Sequence, residues 1–210
     1  MNKKPLSIFK KLHAYFGPQG WWPADSAFEV IIGSILTQNT NWNNVSRAIA
    51  NLKRDGLLNA ERLLRLPRRR LASLIKPAGY YNIKAARIKN FLDFFKSRYT
   101  LRLKNMSLEK TGRLREELLS VNGIGNETAD SILLYALEKP VFVVDAYTKR
   151  IFSRHKLIRD DASYGQIQKF FMQNLKKDVE LFNEYHALIV KLGKEFCCKA
   201  KPKCDICPLK

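Results

Sequence analysis

The stretch Thr111-Gly-Arg-Leu-Arg-Glu-Glu-Leu-Leu-Ser-Val-Asn-Gly-Ile-Gly-Asn-Glu-Thr-Ala-Asp-Ser-Ile-Leu-Leu-Tyr-Ala-Leu137 falls into three parts. Thr111 to Ser120 reads as a helix. Val121-Asn122-Gly123-Ile124-Gly125 reads as a tight turn, because glycine tolerates backbone angles that other residues avoid. Asn126 to Leu137 reads as a second helix, with Ala129, Ile132, Leu133 and Ala136 on one face. A G-x-G turn at a helix start leaves backbone N–H groups pointing outward, at the positive end of the helix dipole. Such a unit suits an anion. On the G-x-G alone, a plain helical hairpin that needs glycine for its bend is the simpler reading. No Gly-Lys-Ser/Thr follows, so it is not a Walker loop.

The rest of the chain repeats the helical pattern. Leu6, Phe9, Leu12 and Phe16 form one stripe, ended by Gly17-Pro18-Gln19-Gly20. Asp25-Ser26 predicts a cap for a helix from Ala27 to about Thr37, apolar enough to be central and buried. Further helices are expected over 41–52, 59–64, 68–75, 82–99 and 146–155. No segment sustains period-2 alternation. Val141 to Val144 is the one β-like run, too short to found a sheet. The fold class is therefore all-α.

The chain has 210 residues, 46% apolar and 27% charged, which suits one domain or two small ones with a real core. Lys and Arg number 38 against 19 Asp and Glu, a net charge of +19. That excess points to a polyanion, nucleic acid or an anionic membrane surface. No apolar run approaches the roughly 20 residues of a spanning helix, and no apolar stretch follows the charged N-terminus as in a secretory signal. No helix is cationic on one face and aromatic on the other, which weakens the membrane-surface reading. The expected compartment is the cytoplasm, associated with the nucleoid through DNA.

With these features in place, Leu119-Ser-Val-Asn-Gly-Ile-Gly-Asn-Glu-Thr-Ala129 resembles the helix-hairpin-helix of the endonuclease III superfamily of DNA glycosylases. Val143-Val-Asp-Ala-Tyr147 is similar to the segment carrying that family's catalytic aspartate. Leu36-Thr-Gln-Asn-Thr40 and Gly79-Tyr-Tyr-Asn-Ile-Lys-Ala85 resemble two further signatures, and 193–208 resembles the iron–sulfur loop. The resemblance implies a two-lobed all-α fold. A six-helix barrel lobe would span 25–138, with the hairpin at about 112–137. Residues 1–24 and 139–210 would form the second lobe, and double-stranded damaged DNA would lie in the cleft between them. The enzyme is expected to act as a monomer.

Cleaving an N-glycosidic bond builds positive charge on the sugar, and a nearby carboxylate stabilises it. The resemblance gives Asp145 that role; by itself Asp145 also reads as a helix N-cap. Bifunctional relatives carry a lysine just before the hairpin threonine, where this chain has Glu127. A carboxylate forms no Schiff base, so the departure predicts base removal without strand cleavage. Lys139 and Lys149 are the nearby amines that could substitute.

Phosphate contacts are expected at Gly123, Ile124, Gly125, Asn126 and Thr128, with Lys84 as a further one. By the same resemblance, Gln38 holds the position at which family members insert a side chain into the gap left by a flipped base; by itself it reads as a half-buried amide near a helix end. Trp21, Trp22, Pro23 and Trp42 are expected to line the base pocket, since a flipped base stacks on aromatic faces. A pocket rich in indole suits a cationic base through cation–π attraction. Together these motifs look like the 3-methyladenine glycosylase branch. Glycosylases for oxidised pyrimidines or mismatches, and a non-catalytic DNA-binding module, remain the alternatives. Each tryptophan also reads as a core anchor. His13, His155 and His186 have no metal-ligand spacing and read as structural.

All four cysteines lie in the last 14 residues, which argues for metal over a disulfide scaffold. Cys197, Cys204 and Cys207 match the first three positions of the family's C-x6-C-x2-C-x5-C loop, which holds a [4Fe–4S] cluster. The fourth position would fall at 213, past the final Lys210, and Cys198 is off register. A cluster with an unusual fourth ligand, structural zinc, and an exposed thiol cluster without metal are all open.

Overall fold

A computed structural model describes residues 4–210. Residues 1–3, included in the expected second lobe, lie outside the described residues. Among the described residues there is no β-strand, and no helix is long and apolar enough to cross a membrane. The chain forms two compact units. One is Ala24–Leu137; the other joins Glu138–Lys210 to the N-terminal residues through Pro23.

The Ala24–Leu137 unit holds helices α2 (Ala27–Leu36), α3 (Trp42–Arg54), α4 (Ala60–Arg65), α5 (Arg68–Leu74), α6 (Tyr81–Tyr99), α7 (Leu103–Ser107), α8 (Thr111–Ser120) and α9 (Asn126–Ser131). α2 is its central rod. Ser26 caps it by accepting from the Glu29 N–H, and every residue from Phe28 to Leu36 is buried. It packs against α3, α6, α9 and the segment after α9. Glu29 tolerates burial because its carboxylate accepts from the Asp25 N–H and pairs with Lys53 at 2.7 Å.

The second hairpin helix departs from expectation. Regular α-helix stops at Ser131, and Ile132–Ala136 forms a π-turn, closed by Leu137 N–H donating to the Ile132 carbonyl. Ile132, Leu133 and Leu134 are all buried, like the residues of α2, against which this segment packs.

The other unit contains α1 (Lys4–Phe16), α10 (Ala146–Arg154), α11 (Tyr164–Asn174) and α12 (Val179–Glu195), the last two not foreseen from the sequence. Its core is aromatic. Phe142 stacks on Phe171 at 3.9 Å, and Phe152, Phe182 and Tyr185 meet this pair edge-on. Burying each such ring contributes about 1.5–3 kcal/mol. Val141–Val144 is extended and buried, yet side chains rather than a strand meet its backbone. Gln168 donates to the Phe142 carbonyl, and the Val144 N–H donates to the Tyr164 hydroxyl. The run is thereby held straight into Asp145.

Candidate functional site

In the hairpin, Gly123 has φ 95°, and a Cβ there would lie 2.3 Å from Cγ of Arg87. Only glycine fits both constraints. α9 begins on Gly125, which has no side chain to cap the first-turn N–H groups. Ile124 is 4% exposed, so it anchors the turn and offers only backbone. Arg115 of α8 grips Asp130 of α9 with two hydrogen bonds of 2.6 and 3.0 Å, and donates a third to Asn126 Oδ1. Asp130 is fully buried. This clamp fixes the angle between the hairpin helices.

Gln38, in the turn after α2, is drawn onto the hairpin. Its Nε2 donates to the Gly123 carbonyl at 3.0 Å and to Thr128 Oγ1 at 2.9 Å, and Arg87 donates to its Oε1. Gln38, Gly123 and Thr128 therefore form one cluster. Trp42 opens α3 in the same unit, half-buried after the Asn41 cap.

Lys84 corrects an expectation. It is 1% exposed, and its Nζ donates to the Leu36 and Ala78 carbonyls at 2.8 and 2.7 Å. An ammonium so enclosed does not reach a phosphate. Burial, with Arg87 adding repulsion, lowers its pKa to about 8. The most exposed large side chain of that motif is Tyr80, ahead of Ile83 at 52%. It is 67% exposed and left-handed at φ 46°, ψ 31°, just after Gly79 at φ 69°. A left-handed tyrosine costs about 1–2 kcal/mol. The sequence signal was the Gly-Tyr-Tyr opening of a helix.

Asp145 lies in the other unit, extended at φ −124°, ψ −176°. Its Oδ1 accepts from the Thr148 N–H at 2.7 Å and the Thr148 hydroxyl at 2.8 Å, which caps α10. Its Oδ2 faces Nε2 of His186 at 3.6 Å, the two side chains being 10% and 8% exposed. Burial pushes the carboxyl pKa up, but His186 and the Thr148 hydrogen bonds outweigh it and hold the group below its ordinary value. The result is a desolvated carboxylate with one oxygen committed and the other turned toward an imidazole. Sequence reasoning took His186 only as structural, because its approach to Asp145 from α12 joins residues far apart in the chain. Trp21 and Trp22 are half-buried with rings edge-to-face at 5.3 Å, and Pro23 is exposed.

The cysteine loop is held by arginines of α10. Arg150 donates to the Gly193 and Cys197 carbonyls. Arg154 donates to the Cys198 and Lys199 carbonyls and to Cys197 Sγ at 3.3 Å. Cys197 is buried, Cys204 exposed, Cys198 and Cys207 half-buried. Among the described residues no three His, Cys, Asp or Glu side chains converge to hold a metal ion. As arranged, these thiols do not form a four-thiolate cage.

The arrangement can bind an anion through backbone and stabilise a cation through Asp145. Comparison with known proteins agrees. Residues 32–177 match the HhH-GPD superfamily of base excision DNA repair proteins. The chain is 52% identical over 204 residues to a Methanocaldococcus jannaschii protein provisionally named a DNA repair glycosylase, covering 97% of this chain and 92% of that one. It is 28% identical to endonuclease III of Sulfolobus acidocaldarius, over 88% of this chain and 80% of the relative. Among solved structures, the Helicobacter pylori 3-methyladenine DNA glycosylase bound to 1,N6-ethenoadenine superposes with a TM-score of 0.79 at 28% identity, covering 91% and 97% of the two chains. A non-covalent endonuclease III–DNA complex superposes at 0.84 with 21% identity, covering 100% and 93%, and speaks for the fold. The chain belongs to the HhH-GPD superfamily and is a DNA glycosylase of base excision repair.

Proposed function

We propose that the protein is a monofunctional N-glycosylase that excises alkylated bases of the 3-methyladenine type from duplex DNA. The observation that carries the strand-preserving half is Glu127, exposed on the first turn of α9 where bifunctional relatives place their lysine. Lys149, one substitute amine, donates to the Ala162 carbonyl at 3.0 Å, which supports the same reading. The alkyl-base half is supported by the likeness to the 3-methyladenine glycosylase and by the half-buried Trp21, Trp22 and Trp42.

The N–H groups of Gly123, Gly125 and Asn126 hold a phosphate, while that of Ile124 closes the turn onto the Val121 carbonyl, and Gln38 enters the gap left by the flipped base. An exposed Tyr80 stacks on an adjacent base, worth about 1–3 kcal/mol. An alkylated, cationic purine is a good leaving group. The C1′–N bond breaks with its electron pair leaving on the base, and Asp145 stabilises the sugar cation. Water adds at C1′ and loses a proton, giving free base and an abasic site in an intact strand. The spacing of Cys197, Cys204 and Cys207 keeps an iron–sulfur cluster as a structural proposal, tested by the iron and sulfide content of the purified protein; no step runs through it.

The test is incubation with methylated duplex DNA, assay of released bases, then hot alkali. Free 3-methyladenine with strand breaks only after alkali is the expected result. Breaks before alkali would overturn the monofunctional reading. Release of oxidised pyrimidines alone would select the endonuclease III-like alternative. DNA binding with no released base would select a non-catalytic reader.

A further inference from the structure

Lys84, Arg87 and Asn90 recur every three residues on α6 and form one polar stripe. Together they reach three turns. Arg87 holds Gln38 Oε1 and lies over Gly123; Asn90 donates to the Asn122 carbonyl at 3.0 Å. Lys84 joins two turns at once. Leu36 ends α2 and leads into the Gln38 turn. Ala78 ends the Lys76–Ala78 turn and leads into Gly79 and Tyr80.

Space-filling alone does not account for a lysine here. Burying an ammonium is costly, and an apolar side chain of similar length would fill the site without that cost. What the charge adds is two strong donors aimed at two carbonyls, one of them at the negative end of α2. The turns so joined carry the two side chains that face the duplex in the glycosylase reading, on which this inference rests.

We propose that Lys84 is a positioning residue that fixes the Gln38 turn and the Tyr80 turn relative to each other, so that both side chains enter the duplex together at a damaged site. The ammonium also titrates in an accessible range. Arg87, on the same helix, is the charge acting on it; α2 and the Lys76–Ala78 turn present carbonyls to it, and Lys76 is exposed. With a pKa of about 8, the charged donor is lost as pH rises through that value.

The experiment uses the full chain and a duplex bearing a tetrahydrofuran abasic analogue, with a fluorescent base analogue opposite. Wild type should prefer this duplex over an undamaged one and change its fluorescence. Lys84→Met should keep undamaged-duplex affinity, lose about tenfold in preference and lose the fluorescence change. In a Gln38→Ala, Tyr80→Ala background, Lys84→Met should have no further effect. Wild-type preference should weaken above pH 8, and that of the variant should not. Amide exchange should quicken in 37–40 and 79–83 together. Unchanged preference with unchanged exchange would overturn the proposal, as would exchange quickened throughout the unit with an additive effect in the double-alanine background. If wild type shows no preference, the glycosylase reading fails, and amide exchange at the two turns still decides the clamp.

Discussion

The two units treat buried charge in opposite ways. In Ala24–Leu137 every buried charge is saturated: Asp130 by the Arg115 fork, Glu29 by Lys53 and a backbone N–H, Lys84 by two carbonyls. In the Glu138–Lys210 unit, Asp145 has one oxygen saturated by Thr148, while the other faces only an imidazole at 3.6 Å. Saturated charge fixes geometry, as a rigid DNA-gripping surface requires. Unsaturated charge keeps electrostatic work in reserve, which the role proposed for Asp145 would draw on.

The contrast can be broken most forcefully at Arg115. Arg115→Met removes the fork from a fully buried carboxyl group, so unfolding free energy should fall by about 3–5 kcal/mol, measured by urea denaturation. A loss under 1 kcal/mol would mean that Asp130 is held by other partners and that the hairpin clamp is dispensable.

Asp145→Asn tests the other side. Asparagine caps helices about as well as aspartate, so α10 should persist and stability should hardly change. Base release in single turnover should nevertheless fall by about 10²–10³-fold, with DNA affinity retained. Equal losses in stability and rate would make Asp145 a cap and nothing more.

How far each half was legible follows from the same contrast. The hairpin is local: its glycines, its helices and the buried rod of α2 read directly from spacing within a few turns. From its own surroundings Asp145 was legible as a helix cap, which its bond from the Thr148 N–H bears out; the catalytic role came from the resemblance alone. The partners that tune these groups were not legible. His186 lies 41 residues beyond Asp145 and Leu36 lies 48 before Lys84, and no sequence period connects such pairs. Lys84 misled because a helical lysine is ordinarily solvated, and its burial is a tertiary fact. The π-turn at Ile132–Ala136 escaped for a similar reason: packing on α2, rather than propensity, sets it.

Gly123→Ala should sharpen the comparison at a smaller scale. A methyl at φ 95°, 2.3 Å from Arg87 Cγ, forces Arg87 off the turn and disturbs Gln38 with it. A cost of about 1–3 kcal/mol is expected in stability, with undamaged-duplex affinity reduced. Gly125→Ala, at φ −96° with open space around its Cβ, is the control and should be milder on both counts. Equal effects would remove Arg87 as the reason for glycine at 123.

The smallest effect is the titration of Asp145 itself. Burial opposes ionisation, yet His186 and Thr148 together hold its pKa below the ordinary value near 3.9. A carboxyl depressed in the folded state adds stability above the unfolded pKa, and that stability is lost as pH falls through the folded value. In a carbon-13 NMR titration the Asp145 carboxyl should therefore titrate below an ordinary aspartate. His186→Phe removes one of the two opposing contributions and leaves burial, so the midpoint should move upward while the Thr148 cap survives. A midpoint unmoved by that change would mean Thr148 alone sets the charge. His186 would then do no electrostatic work at Oδ2, and the contrast with Asp130, bonded at both oxygens, would rest on that open oxygen alone.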